Sequence, residues 1–324
     1  MSERTVRVGL IGCGNIGARA HLPACTQIPE TELVAVCDII EERAQAAAER
    51  SCATAYTDYR QLLERKDVDV VIIALPNDLH AEVTIAAADA GKHILCEKPM
   101  ALTLGEADAM IEAARKAGVK LMIGHTRHFD HRYTSVKEQL DAGKVGRPIF
   151  IRRAERQFLP FPPDAWEWDP ERGGGVFLYI GVHCTDLFRW FFGQEAVEVY
   201  AVGKSVREPA QAEGCYDHAF ITCKFEGGGV GFAEPSWVYP GDFGGTLYAQ
   251  LDVVGTGGKI QYADKDTNPM LMYTTERDMN CPVTSSLCPR RSTPSRRRSA
   301  TSCAASWRTG SQPSARMMLA PCWK

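Results

Sequence analysis

Short apolar runs without alternation, separated by stretches of helical period, fill the first 124 residues. Val6–Ile11, Leu33–Cys37, Val68–Ala74, Ile94–Cys96 and Lys120–Gly124 read as buried strands. Helices are predicted over Ile16–Ile28, Glu41–Arg50, Tyr59–Glu64, Ala81–Ala90 and Leu104–Ala117. Gly91 closes the fourth helix, and Thr103 and Gly118 bound the fifth as N-cap and C-terminal stop. Strands apolar on both faces and bounded by helices imply a parallel sheet covered on both sides, a doubly wound α/β domain.

After Gly124 the period changes. A helix is predicted over Tyr133–Ala142, then an alternating strand over Pro148–Phe158. A loop rich in Pro and Trp, Leu159–Gly175, precedes an apolar helix over Leu178–Phe192. The remaining strands are Val197–Val206, His218–Phe225, Gly229–Trp237, Thr246–Val254 and Lys259–Tyr262. Sequential strands joined by short glycine turns predict a mostly antiparallel open sheet with helices on one side, an α+β domain.

Composition changes the picture in three places. With 324 residues, 45% of them hydrophobic, the chain is long enough for two cores. The opening residues are polar and the first apolar run is too short for a membrane span or a secretory leader, so a cytoplasmic protein is expected. The twelve cysteines are scattered singly, with neither a C-x-x-C pair nor metal-ligand spacing, and read as reduced and metal-free. Charge is divided unevenly. Residues 279–324 hold eight Lys or Arg and no Asp or Glu, which leaves the first 278 with 29 basic against 40 acidic side chains, a net of −11. An acidic body argues against a nucleic-acid partner.

The last segment has no helical or strand period. Read out of frame with GC-rich codons, Thr293–Trp323 becomes an amphipathic string with acidic residues and an Asp-Gly turn. A frameshift between about Asn280 and Arg290 is therefore expected, with 279–324 as its aberrant product. The expected domains are 1–124, which binds a nucleotide, 125–278, which binds substrate, and this tail.

Gly12-Cys13-Gly14-Asn15-Ile16-Gly17 places G-x-G-x-x-G directly after a strand and at the start of a helix. The first glycine allows the tight turn, the second admits pyrophosphate to the backbone, and the third lets helix and strand pack closely. Asp38 ends the second strand, where a carboxylate accepts ribose hydroxyls and repels a 2′-phosphate. Ile39 follows in place of an Arg or Ser that would hold that phosphate. NAD is expected over NADP. Leu75-Pro76-Asn77-Asp78-Leu79-His80 lies at the carboxyl end of the third long strand, with Asn77 and His80 as candidates for the nicotinamide ribose or, for Asn77 and Asp78, as helix caps. Glu97-Lys98-Pro99 ends the next strand. Lys98 is a candidate to hold a substrate oxygen and stabilise a developing alkoxide, or to act as base, with ion pairing to Glu97 as the plainer role. His183, whose imidazole titrates near neutrality, is the candidate general base, with a core histidine as the plainer reading. Trp166 and Trp168 are candidates to stack on a sugar, and Arg127, His128, Arg153 and Tyr239 to meet hydroxyls.

The glycine loop, the P-N-x-x-H loop, Glu97-Lys98-Pro99 and the run from Gly173 through His183 to Asp186 resemble the Gfo/Idh/MocA oxidoreductase family over about Val6–Tyr273. The resemblance implies a Rossmann domain followed by an α/β domain whose open sheet builds a homodimer or homotetramer. It also implies NAD-dependent oxidation of a secondary alcohol of a sugar or cyclitol, using Lys98 and His183. The out-of-frame string resembles the same family's C-terminal region. One departure stands out: where the family often has Asp four residues before the histidine, this chain has Tyr179, a third candidate for the catalytic group. A catalytically silent NAD-binding regulator and an NAD-dependent glycosidase are the rival readings.

Overall fold

The structure, a computed structural model, describes residues 5–158, 160–239, 247–263 and 270–274. The frameshift and the basic tail expected for 279–324 lie outside the described residues. The chain divides after Asp130 into two compact units.

In the first unit, β1 (Val6–Ile11), β2 (Thr31–Cys37), β3 (Thr54–Tyr56), β4 (Val70–Ile73), β5 (His93–Cys96) and β6 (Leu121–Ile123) form one parallel sheet in the order β3-β2-β1-β4-β5-β6. Successive strand residues point to opposite faces, and both faces are covered, which is why the strands are apolar throughout. Leu10, Val36, Ile72 and Leu95 enter one core, whereas Ile11, Cys37, Ile73 and Cys96 enter the other. The covering helices are α1 (Leu22–Gln27), α2 (Glu41–Ser51), α3 (Tyr59–Leu63), α4 (His80–Asp89) and α5 (Leu104–Ala117). Helix α5 begins with a reciprocal capping box between Thr103 and Glu106 and ends at Gly118 in the left-handed region. The helix predicted over Ile16–Ile28 forms with a widened turn, Gly17–His21, in which Leu22 N–H bonds to Gly17 O. Pro23 explains it: with no N–H, and a ring that crowds the carbonyl four residues back, proline cannot continue a regular helix.

The second unit is built on a seven-stranded sheet. Its strands are β7 (Pro148–Gln157), β8 (Ala196–Lys204), β9 (His218–Phe225), β10 (Val230–Ser236), β11 (Leu247–Gly255), β12 (Gly258–Ala263) and β13 (Met270–Thr274), in the order β13-β12-β11-β7-β10-β9-β8. Every pairing is antiparallel except one beside the central strand, where β10 runs parallel to β7. Helices α6 (His131–Asp141) and α7 (Val182–Phe192) cover one face, and Tyr133, Leu140, Leu187 and Phe188 pack there on Ile151, Ile221, Leu251 and Val253. A short helix, α8 (Glu208–Glu213), follows β8. On β9 the sides alternate: Ala219, Ile221, Cys223 and Phe225 are buried, while Phe220 and Lys224 are exposed. Edge strand β8 is exposed almost throughout, with Val197, Val199 and Tyr200 each more than 60% accessible. Among the described residues no helix is long and apolar enough to cross a membrane.

Candidate active site

In the first unit strand order reverses between β1 and β4, so the loops leaving their carboxyl ends diverge and open a crevice. Gly12 turns the chain with φ +98°, and a Cβ there would lie 2.2 Å from Ala74 O. A Cβ on Gly17 would lie 1.9 Å from Gly12 O. Both glycines are thus needed by the protein's own packing. Gly14 differs, for a Cβ there would meet nothing within 4 Å. Its flank is open, as the pyrophosphate of a dinucleotide requires, and Asn15 and Ile16 beside it are exposed.

Asp38 is buried at the end of β2, where one carboxylate oxygen accepts Cys13 N–H at 2.8 Å and the other accepts Ile40 N–H at 2.9 Å. It therefore holds the glycine loop in place before any ribose is bound. Ile39 beside it is 88% exposed, an apolar side chain left bare at the rim. Burial, reinforced by neighbouring Asp38, pushes the Cys13 thiol up to about 12, and burial with Cys13 and Asp38 does the same to Cys37. Both stay protonated and inert.

The loop after β4 departs from expectation. Asn77 is buried, in the short turn Asn77–Leu79. His80 is wholly buried, with Nδ1 2.7 Å from Pro99 O and Nε2 3.1 Å from Leu75 O. Burial pushes its pKa down, outweighing the two carbonyls. Both ring nitrogens are thus taken up by backbone carbonyls. His80 is therefore not a ribose ligand; it ties the Leu75–His80 loop to the segment after Lys98.

Lys98 follows β5 at the same edge of the sheet and is half-buried. Its N–H donates to Glu97 Oε2 at 3.1 Å, and Glu97 Oε1 lies 2.8 Å from His21 Nε2. Burial opposes the Glu97 charge, but the His21 hydrogen bond and charge, together with Lys98, hold its carboxyl below the usual carboxylate range. His21 escaped the sequence reading. The available signal was a polar residue one helical turn after Gly17, on the face that packs on the sheet. Arg127, half-buried in the turn Thr126–Phe129, belongs to this unit.

In the second unit His183 is buried in the first turn of α7. One turn earlier Tyr179 packs edge-on against Trp237, with centroids 5.3 Å apart, and against Phe161 at 5.8 Å. Trp168 joins the same aromatic group. It is fully buried, and its indole N–H donates to Pro162 O at 2.9 Å, which removes it as a sugar platform; Trp166 remains half-buried. Arg153 requires a second correction. Its side chain is wholly buried and pairs at 2.8 Å with the equally buried Glu155, its guanidinium lying over the Tyr133 ring. Position 153 shares the helix-covered side of β7 with Ile151, so the side chain points into the core and cannot meet substrate. Tyr239 donates to Glu234, which also pairs with Arg156.

Parallel topology, a glycine loop open only at its second glycine, and an acidic residue closing β2 define a dinucleotide-binding domain. Residues 6–125 match the oxidoreductase family with an NAD-binding Rossmann fold, Gfo/Idh/MocA, and residues 133–261 match that family's C-terminal domain. The chain belongs to the Gfo/Idh/MocA family and is an NAD-dependent dehydrogenase. Over 276 residues it is 33% identical to the myo-inositol 2-dehydrogenase of Thermotoga maritima, covering 84% of this chain and 79% of that one. It is 32% identical over 260 residues to the NAD(+)-dependent scyllo-inositol 2-dehydrogenase of Bacillus subtilis, covering 80% and 74%. Among solved structures, the WlbA dehydrogenase of Bordetella pertussis, in complex with NADH and UDP-GlcNAcA, is similar with a TM-score of 0.77 at 25% identity, over 85% of this chain and 79% of that one.

Proposed function

We propose that this protein oxidises a secondary alcohol of a sugar or cyclitol. The observation that carries the reading is Lys98 at the carboxyl end of β5, on the sheet edge that also bears the glycine loop and the loop after β4. Inositol dehydrogenases among its relatives, including the two named above, support a cyclitol as the first substrate to try.

Bound NAD supplies the carbon that accepts hydride; the protein must bind it, position the alcohol and take the alcohol's proton. Gly12, Gly14, Asn15, Ile16 and Gly17 would receive the pyrophosphate, and Asp38 with Ile39 the adenosine ribose. Leu75, Pro76 and Asn77 would border the nicotinamide end. Lys98, as a cation, holds the substrate oxygen and stabilises the alkoxide as it develops. His183 takes the hydroxyl proton. Tyr179 occupies the family's Asp position and brings a neutral phenol where the family often has a charge, so His183 works without that carboxylate. Arg127 and Trp166 complete the substrate contacts in this reading.

NADH formation over a panel of inositols and monosaccharides tests the proposal. Lys98→Ala and His183→Ala should each lower kcat about 10²–10⁴-fold, the usual worth of a general acid–base or charge-stabilising group, while NADH still binds. NADH binding without turnover of any polyol would point to a regulatory protein. Glycoside cleavage needing NAD without net NADH would point to a glycosidase.

The proposal extends to assembly. The bare apolar side chains Val199, Tyr200, Val202 and Phe220 on and beside β8 suit a second copy of the chain, giving a homodimer or homotetramer through this sheet. Twelve cysteines without a disulfide pattern suit the cytoplasm.

A further inference from the structure

His21 stands outside every role assigned above, yet it touches the residue that precedes Lys98. It lies in the widened turn after Gly17, and its side chain is only 10% accessible. Its partner Glu97 is 13% accessible. The Glu97 carboxylate is held from three directions. Oε1 faces His21 Nε2 at 2.8 Å, and Oε2 accepts Lys98 N–H at 3.1 Å. On the third side Gly124 runs so close that a Cβ there would lie 3.3 Å from the carboxyl carbon. An ionised carboxylate only accepts hydrogen bonds, so His21 Nε2 is the donor. The backbone on either side is already fixed: Glu97 N–H donates to Ile73 O at 2.9 Å and Gly124 N–H to Cys96 O at 2.7 Å. What remains free to vary is the rotation of the Glu97 side chain, and with it the bond that orients Lys98.

We infer that His21 is a positioning residue for Lys98, clamping Glu97 so that its second oxygen fixes the backbone of the lysine at the crevice. The glycine loop and the lysine are thereby linked through side chains, because His21 belongs to the helix that Gly17 brings against β1. A charge-assisted bond in a nearly dry setting has the strength and direction this task needs. His21 need not touch substrate or cofactor. The kinetic part of the inference rests on the dehydrogenase reading; the structural part does not.

Hydrogen–deuterium exchange resolved at the Lys98 amide, compared between the full-length protein, His21→Ala and His21→Gln, separates the two. Loss of the clamp should speed exchange at Lys98 at least tenfold in His21→Ala, leave the amides of Val70–Ile73 unchanged, and be largely reversed in His21→Gln, whose amide N–H can reach the same oxygen. With a polyol that the native protein oxidises, His21→Ala should lower kcat at least tenfold while the NADH dissociation constant moves less than threefold. Lys98 exchange within twofold of native would overturn the inference, as would a rise shared by Val70–Ile73, which marks general loosening, or kcat within twofold of native. If no polyol yields NADH with the native protein, the proposed function fails, and the exchange data still decide whether the clamp exists.

Discussion

At the scale of single residues, the same chemical group served different ends according to where the chain put it. Arg153 and Arg127 were equivalent candidates for substrate hydroxyls, yet Arg153 is sealed beside Glu155 and Tyr133 in the second core. Arg153→Ala should therefore cost stability and not affinity. Removing one member of a buried pair leaves an uncompensated charge, worth about 3–5 kcal/mol. We expect a clearly lowered melting temperature and an unchanged KM for any polyol turned over; a raised KM with native stability would restore Arg153 to the substrate site. His80 and Arg153 were not legible as structural because a polar residue on a strand or at a helix start gives no local sign of which way it faces. The glycine loop and Asp38 were legible because their role depends on backbone geometry, which the spacing of the glycines encodes. Asp38 carries a further constraint. Since its two oxygens already hold Cys13 N–H and Ile40 N–H, a substitution meant to admit a 2′-phosphate also releases the loop that grips the pyrophosphate.

At the scale of elements, the three glycines of one loop separate fold from binding. Gly14→Ala meets open space, so it should leave the melting temperature nearly unchanged and weaken NADH binding at least tenfold, measured by fluorescence titration. Gly17→Ala drives a methyl into Gly12 O and should destabilise by about 1–3 kcal/mol, the usual cost of overpacking. If both variants lose stability equally, the assignment of Gly14 to the cofactor fails. Elements with complete local signals were found in the sequence at their true bounds. Helix α5 has a capping box at one end and glycine at the other, and β9 alternates over its whole length. Strand β3, only three residues long, and the six-residue α8 were missed, being too short to show a period. The widened turn Gly17–His21 was missed although Pro23 announces it. The parallel pairing of β7 with β10 left no trace in the sequence, since register between distant strands is settled by tertiary packing.

At the scale of the whole molecule, the second sheet is covered by helices on one face and carries a bare, apolar edge strand. Such a surface needs a cover to stay in solution. If the proposed oligomer forms through this strand, substituting Val199 and Tyr200 together by Glu should lower the sedimentation coefficient to that of a monomer. An unchanged coefficient would count against an oligomer built through β8. The two units also differ in how far apart their neighbouring strands lie in the chain. In the first unit every strand of the sheet lies before Asp130, and each adjacent pair is joined by a single crossover except β1 and β4, between which β2 and β3 are made. In the second, the central strand β7 pairs with Val230–Ser236 on one side and Leu247–Gly255 on the other, both made much later. On the ribosome, the nucleotide-binding half can complete itself while β7 has emerged with both edges unsatisfied, and late closure of distant pairings is slow. A nascent chain paused before Val230 would thus be a natural client for chaperones, whatever the stability of the finished protein.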